Sequence, residues 1–263
     1  MEPRDFKKTL LRTEHLTKRF GGLVVMNDLS MSVAPGEIHG LLGPNGAGKS
    51  TFFNLVTGVL KPTSGKIFYD DMVDITNAKP HQVAKLGIGR TFQLNPLFGD
   101  FTVEENIMAA QFLHPHSNVL QVYFNTPTYR ANEEEARKST YGIMEMLNMM
   151  DIKDMKAGAL PHGYQKLLGV ARALATKPKL LMLDEPLGGM NPEEIHFTLD
   201  AINVMNKEIG ITILIVEHNM QVLDICDNVT VISFGEKIFD GTAEEVRDDK
   251  TVNEVYFGGV EYE

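Results

Sequence analysis

The sequence predicts an α/β fold, a mostly parallel sheet covered by helices, with an antiparallel β-subdomain and an α-helical subdomain attached. Three observations lead there. Short β-like runs alternate with helical segments, three of those runs are apolar at nearly every position, and a glycine-rich turn joins the first of them to a helix. The bulk numbers allow it: 263 residues, 43% hydrophobic and 23% charged, suit one large domain with a subdomain.

The N-terminal stretch "MEPRDFKKTLLRTEHL" carries charges throughout and has no apolar centre, so no signal peptide is expected there. Three segments follow with the shorter alternation of antiparallel strands: "LRTEHLTKRF" (Leu11–Phe20), "LVVMNDLSMSV" (Leu23–Val33) and "GKIFYDDMVD" (Gly65–Asp74). The three buried strands are expected at "GEIHGLLG" (Gly36–Gly43), "KLLMLD" (Lys179–Asp184) and "ITILIV" (Ile211–Val216). The last is far short of the roughly 20 residues a membrane-spanning helix needs, so membrane association would have to come through partners.

Between them, about Thr102 to Leu160, the pattern turns helical. "TVEENIMAAQF" opens with a capping box, Thr102 and Glu105. "NEEEARKSTYGIMEMLNMM" (Asn132–Met150) predicts a second helix whose Ile143, Met144, Met146, Leu147 and Met150 form a packing stripe. The intervening "HPHSNVLQVYFNTPTYRA" (114–131) gives no clear period. The expected division is a nucleotide-binding core with its β-subdomain at 9–95 and 166–240, a helical subdomain at 96–165, and a C-terminal helical tail at 241–263.

Chemistry enters at "GPNGAGKST". Gly43, Pro44, Asn45, Gly46, Ala47, Gly48, Lys49, Ser50 and Thr51 fill the pattern G-x-x-x-x-G-K-[ST], between a buried strand and a helix. Glycines let the backbone wrap a phosphate, several N–H groups converge on its oxygens, and the helix N-terminus adds its dipole. The pattern resembles the phosphate loop of a P-loop NTPase, which implies a RecA-like sheet. Lys49 would reach the β- and γ-phosphates, Ser50 would ligate Mg²⁺, and Thr51 would add a donor.

Ligands of parallel sheets bind beyond the carboxyl ends of the strands. Three parallel strands would therefore bring the phosphate loop, the pair Asp184–Glu185, and the pair Glu217–His218 to one edge. Asp184 is expected to hold Mg²⁺ through water, Glu185 to orient or deprotonate the attacking water, and His218 to touch the γ-phosphate or position Glu185.

With these residues in place, the chain resembles the ATP-binding subunits of ABC transporters along nearly its whole length. The resemblance implies further roles. Phe20, in "TKRFGG", matches the aromatic that stacks on adenine, and Gln93, in "GIGRTFQ", matches the glutamine loop that senses Mg²⁺ and the transport channel. "LGGMN" (Leu187–Asn191) matches the D-loop, with Asn191 where aspartate is usual.

"LPHGYQ" (Leu160–Gln165) matches the signature that usually reads Leu-Ser-Gly-Gly-Gln. Its Gly163, Tyr164 and Gln165 would cover the ATP of a second, head-to-tail ATPase chain, as the tip of a helix "GYQKLLGVARALA". Pro161 replaces the serine, removing a hydroxyl and a backbone N–H, and His162 replaces the first glycine. Two outcomes stay open: a weakened signature, or one in which His162 and Tyr164 supply the missing contacts.

"GIGRTFQ", "DEPLGGMNPEE" and "NEVYFGG" look most like the branched-chain amino-acid importers, whose motifs importers of urea and amides share. The resemblance implies ATP and Mg²⁺ as cofactors and a peripheral place on the cytoplasmic face of the cell membrane. It also implies a second ATPase chain, two transmembrane permease subunits and a periplasmic or extracellular solute-binding protein as partners. Whether the ATPase pair is homodimeric, and which solute is carried, stays open.

Several alternatives find little support. The net charge of −10 disfavours nucleic acid as a partner. A single cysteine, Cys226, excludes an internal disulfide. A soluble mechanical ATPase would bring tandem domains or a long coiled coil. A GTPase would need Asn-Lys-x-Asp, and Asn206-Lys207-Glu208-Ile209 lacks the aspartate. A non-catalytic regulatory subunit would not need Glu185 and His218.

Overall fold

A computed structural model describes residues 8–91, 97–111, 121 and 123–257, without the side chains of 256 and 257. The chain opens with the hairpin β1 (Leu11–Phe20) and β2 (Leu23–Val33), then enters β3 (Ile38–Leu42) and α1 (Lys49–Val56). It continues through β4 (Ser64–Tyr69), β5 (Val73–Asp74), α2 (Pro80–Lys85) and β6 (Ile88–Arg90). The helical segment holds α3 (Val103–Ala110) and α4 (Pro127–Met146), and leads into α5 (His162–Ala175). Then come β7 (Leu180–Asp184), α6 (Pro192–Ile209), β8 (Thr212–Glu217), the hairpin β9 (Asn228–Ser233) and β10 (Glu236–Thr242), and finally α7 (Ala243–Asp248) and α8 (Lys250–Phe257).

Two sheets result among the described residues, an antiparallel one in the order β2-β1-β4-β5 and a second in the order β10-β9-β3-β8-β7-β6. In the second, β9, β3, β8, β7 and β6 pair in parallel and only β10 runs against its neighbour. Every residue of β3, β7 and β8 is buried, which is why these strands read as continuous apolar runs.

Because side chains alternate across a sheet, the two faces feed two separate cores. Leu41, Leu180, Met182, Leu214 and Val216 pack with Phe52 and Phe53 of α1 and with the antiparallel sheet. Ile38, Leu42, Leu181, Leu183, Ile213 and Ile215 pack with α5, α6 and the helical segment. The helical subdomain thus closes on the same apolar cluster as α5 and α6.

Of the expected strands, β1 and β2 keep their bounds, β3 and β7 are shorter, the segment at Gly65–Asp74 forms two strands, β4 and β5, and β8 is shifted by one residue. Strand β8 extends one residue further than the apolar run, so Glu217 lies inside the sheet and is fully buried. The Thr102 capping box forms in both directions, at 3.1 Å and 2.8 Å.

The second helix differs from expectation. It starts at Pro127, capped by Thr126, and ends at Met146, so Leu147 is its C-cap and Met150 lies in a following 3-10 turn. Asn148 has φ 51; of the expected stripe, Ile143, Met144 and Leu147 are buried while Met146 and Met150 are half-buried against the same core, and Met149, outside that stripe, is fully buried. Of the unassigned stretch 114–131, residues 114–120 and 122 lie outside the described residues, and Pro127 onward is the start of α4. Helix α5 crosses the boundary expected at 165/166 without interruption.

Candidate functional site

The glycine-rich turn leaves β3 at Gly43 and becomes α1 at Lys49. Gly46 and Gly48 sit at φ 81 and 104, where a side chain is strained. At Gly43 a Cβ would stand 2.4 Å from the Ile232 carbonyl oxygen, so only glycine lets the loop approach β9. The Gly235 N–H donates to the Ala47 carbonyl at 3.1 Å, bracing the loop from the β9–β10 turn.

Lys49 is buried, and its Nζ donates to the carbonyl oxygens of Gly43 at 2.6 Å and Pro44 at 3.0 Å. Burial pulls its pKa below the ordinary lysine value, while Glu185, Glu217 and Asp184 push back. The ammonium therefore sits inside the loop, within the field of three carboxylates. Asn45, Gly46 and Ser50 are exposed, and Pro44 and Thr51 are half-buried.

The strand ends do meet. Leu42 pairs with Glu217 and Asp184 with Val216, which sets the phosphate loop, Asp184 and Glu217 side by side on one edge. Asp184 is buried, and its Oδ2 accepts from Arg90 Nη2 at 2.8 Å while its backbone N–H donates to Thr91 Oγ1 at 3.0 Å. The other carboxylate oxygen, Oδ1, is buried with no hydrogen-bond partner among the described residues. A buried anionic oxygen left open in this way fits a hard cation. No cluster of three or more His, Cys, Asp or Glu able to hold a metal occurs among the described residues, so the remaining ligands of such a cation would include hydroxyl, phosphate or water.

Glu185 follows at φ 47, an unusual conformation for a side-chain-bearing residue. Its N–H donates to the Val216 carbonyl at 2.9 Å, and its own carbonyl accepts from Lys166 Nζ at 2.8 Å. Its Oε1 lies 4.0 Å from His218 Nδ1, which is also 3.6 Å from Glu217 Oε2. Glu217 organises this corner. It accepts from the N–H groups of Leu187 at 2.8 Å, His218 at 3.1 Å and Asn219 at 3.4 Å. Burial raises its pKa and those donors counter the rise.

Helix α5 begins at His162 with Pro161 as N-cap and no side-chain cap bond. Gly163 is buried and packs against the Glu194 side chain of α6: a Cβ there would stand 2.7 Å from Oε1, so a larger residue would displace that carboxylate. The His162 ring lies against Gly189, whose Cβ would stand 3.4 Å from Cε1. Gln165 Nε2 donates to the Leu160 carbonyl at 2.9 Å, and Tyr164 is half-buried. Asn191 caps α6 in a capping box with Glu194, both bonds at 3.0 Å, a role asparagine and aspartate fill equally well.

Phe20 ends β1 opposite Leu23, 46% exposed, with Lys18 Nζ 4.9 Å from its ring centre. Gln93 lies outside the described residues. The structure thus brings together Lys49, Asp184, Glu185 and His218.

Sequence reasoning passed over three residues, Arg90, Thr91 and Lys166, and brought Glu217 to the edge without giving it a role. Arg90 also donates to Asn54 Oδ1 at 2.7 Å and Thr57 Oγ1 at 3.2 Å, so it ties α1 to the end of β7. Its one signal was a charged residue at the end of a short apolar run in "GIGRTFQ".

A phosphate loop and an acidic strand end on one edge of this sheet define a nucleotide-binding cassette. Residues 26–188 match the family described as ABC transporter, and the chain belongs to that family; it is an ATPase. The high-affinity branched-chain amino acid transport ATP-binding protein BraF of Pseudomonas aeruginosa is 38% identical over 252 residues, covering 95% of this chain and 98% of the relative. The LivG protein of the same description from Escherichia coli is 36% identical over 250 residues, with coverage of 95% and 98%. The ADP conformation of an ATP-binding cassette of an ABC transporter superposes with a TM-score of 0.82 at 35% identity, covering 96% of this chain and 100% of that one.

Proposed function

We propose that this chain hydrolyses ATP to drive uptake of branched-chain amino acids, as one ATPase subunit of an importer. The relatives' transport role supports the substrate class, and the convergence of Lys49, Asp184 and Glu185 on one sheet edge supports the chemistry. The reading divides the chain into a nucleotide-binding core at 9–95 and 166–240, a helical subdomain at 96–165 and a tail at 241–263. Among the described residues no helix is long and apolar enough to cross a membrane. The importer would therefore hold the chain at the cytoplasmic face through two permease subunits, beside a second ATPase chain, and a solute-binding protein would deliver the cargo.

In this reading the triphosphate lies along Gly43–Thr51, and Phe20 stacks on adenine. Lys49 exchanges the Gly43 and Pro44 carbonyls for phosphate oxygens. Mg²⁺ would be held by Ser50 and Asp184, with Gln93 beside them, and would neutralise charge on the β- and γ-phosphates. Glu185 orients a water and takes its proton as the water oxygen bonds to the γ-phosphorus. The bond from that phosphorus to the β–γ bridging oxygen breaks, leaving ADP and phosphate. His218, between Glu185 and Glu217, contacts the γ-phosphate. The tip of α5, with Gly163, Tyr164 and Gln165, covers the second chain's nucleotide.

The observation that carries this is the buried Asp184 with one open carboxylate oxygen, one residue before Glu185. Glu185→Gln keeps the shape and removes the base, so ATP binding should persist while turnover falls by about a thousandfold or more. Equilibrium binding and steady-state hydrolysis measure the two. Turnover at the parent rate would remove Glu185 from the mechanism.

A further inference from the structure

Lys166 joins α5 to the acidic strand edge by a hydrogen bond, and neither the motif nor the proposed reaction uses it. It stands one turn from the tip of α5, half-buried, with Nζ 2.8 Å from the Glu185 carbonyl oxygen. Space for it is made by Gly188, where a Cβ would stand 3.0 Å from Nζ. Burial lowers the pKa of Lys166, and Glu217, Glu185 and Asp184 counter that.

Glu185 needs holding. At φ 47 it occupies a region that side-chain-bearing residues seldom visit, so its surroundings must fix the conformation. The N–H is tied to Val216 on β8 and the carbonyl to Lys166 on α5. A charged donor makes the second tie the stronger kind. The direction of the Glu185 side chain is thereby set from two elements, one rigid within the sheet and one belonging to the helical side.

We infer that Lys166 is a positioning residue, which fixes the backbone of Glu185 and links the tip of α5 to the carboxylate that serves this chain's own nucleotide. The inference rests on the proposed roles of Glu185 and of α5. Its consequence is coupling between two ATP sites. The tip of α5 covers the second chain's nucleotide, and one turn further the same helix holds the base of the first. Movement of α5 on closure alters the Lys166–Glu185 tie, so occupancy of one site changes the rate at the other.

The test uses the assembled transporter with Lys166→Met and Lys166→Arg, reading kcat and KM for ATP. Loss of a charge-assisted bond predicts a fall in kcat of about ten- to a hundredfold for the methionine variant, with KM within about twofold of the parent. Arginine, which keeps a charged donor, should recover kcat to within about threefold. A purely packing role would not be rescued by arginine and would not separate kcat from KM. An unchanged kcat with methionine, an arginine variant as slow as methionine, or a change confined to KM would each overturn the inference. If the methionine variant does not assemble, Lys166→Gln, a neutral donor, is judged by the same outcomes. Glu185→Gln is measured alongside. If that variant hydrolyses at the parent rate, the proposed reaction fails, whereas an inactive Glu185→Gln with an unaffected Lys166→Met sinks only the role of Lys166.

Discussion

Arg90 and Asp184 meet at 2.8 Å with both side chains almost fully buried. Each was taken out of water, and neither could be left there alone. The guanidinium is also held by Asn54 and Thr57 and lies 5.4 Å from the Phe53 ring centre, so it clamps α1 to β7 behind the phosphate loop. Arg90→Met should keep the volume and strand an unpaired carboxylate, costing about 3–5 kcal/mol of stability. Chemical denaturation of the purified chain measures it, and a loss below about 1 kcal/mol would contradict the clamp. Legibility at this scale was uneven for a physical reason. Lys49, Ser50, Asp184 and Glu185 could be proposed from the sequence because local spacing marks them. Arg90 acquires its role from a partner 94 residues away, and Glu217 in part from Leu187, 30 residues away.

Helix α5 shows how far element-level reading goes. The helical period of its apolar residues predicts that Leu167, Leu168, Val170, Ala171 and Leu174 face inward, and all are buried. The start of α4 was missed because Thr126-Pro127, an N-cap followed by proline at the first helical position, sat within an aperiodic stretch. At the tip of α5, Pro161 provides no side-chain cap, and Gly163 packs against the Glu194 side chain of the same chain. His162 lies against Gly189, so the ring is engaged with the D-loop. We therefore propose that the signature is weakened. Each lost hydrogen bond to a charged group is worth about 1.5–3 kcal/mol. Pro161→Ser with His162→Gly and Tyr164→Gln, which restores Leu-Ser-Gly-Gly-Gln in the assembled transporter, should raise ATP turnover by about tenfold. No gain in steady-state rate would show that this tip already makes its full set of contacts.

At the scale of the whole molecule, one sheet separates two apolar cores, with α1 and the β-subdomain on one face and the helical side on the other. The fold class was legible because strands buried on both faces cannot hide their composition, and because glycine-rich turns after such strands have few other uses. The path between helical subdomain and core was not, since it runs through α5, an element that belongs to both. The strand order then brings Leu42, Asp184 and Glu217 to one edge, and everything proposed about ATP depends on that convergence. The most direct test is an experimental structure of the Glu185→Gln variant with ATP and Mg²⁺. The expected result has the triphosphate within Gly43–Thr51, Lys49 Nζ moved from the Gly43 and Pro44 carbonyls to phosphate, and Asp184 Oδ1 engaged by the metal or its water. Nucleotide bound elsewhere, or a Lys49 still tied to both carbonyls beneath bound ATP, would contradict it.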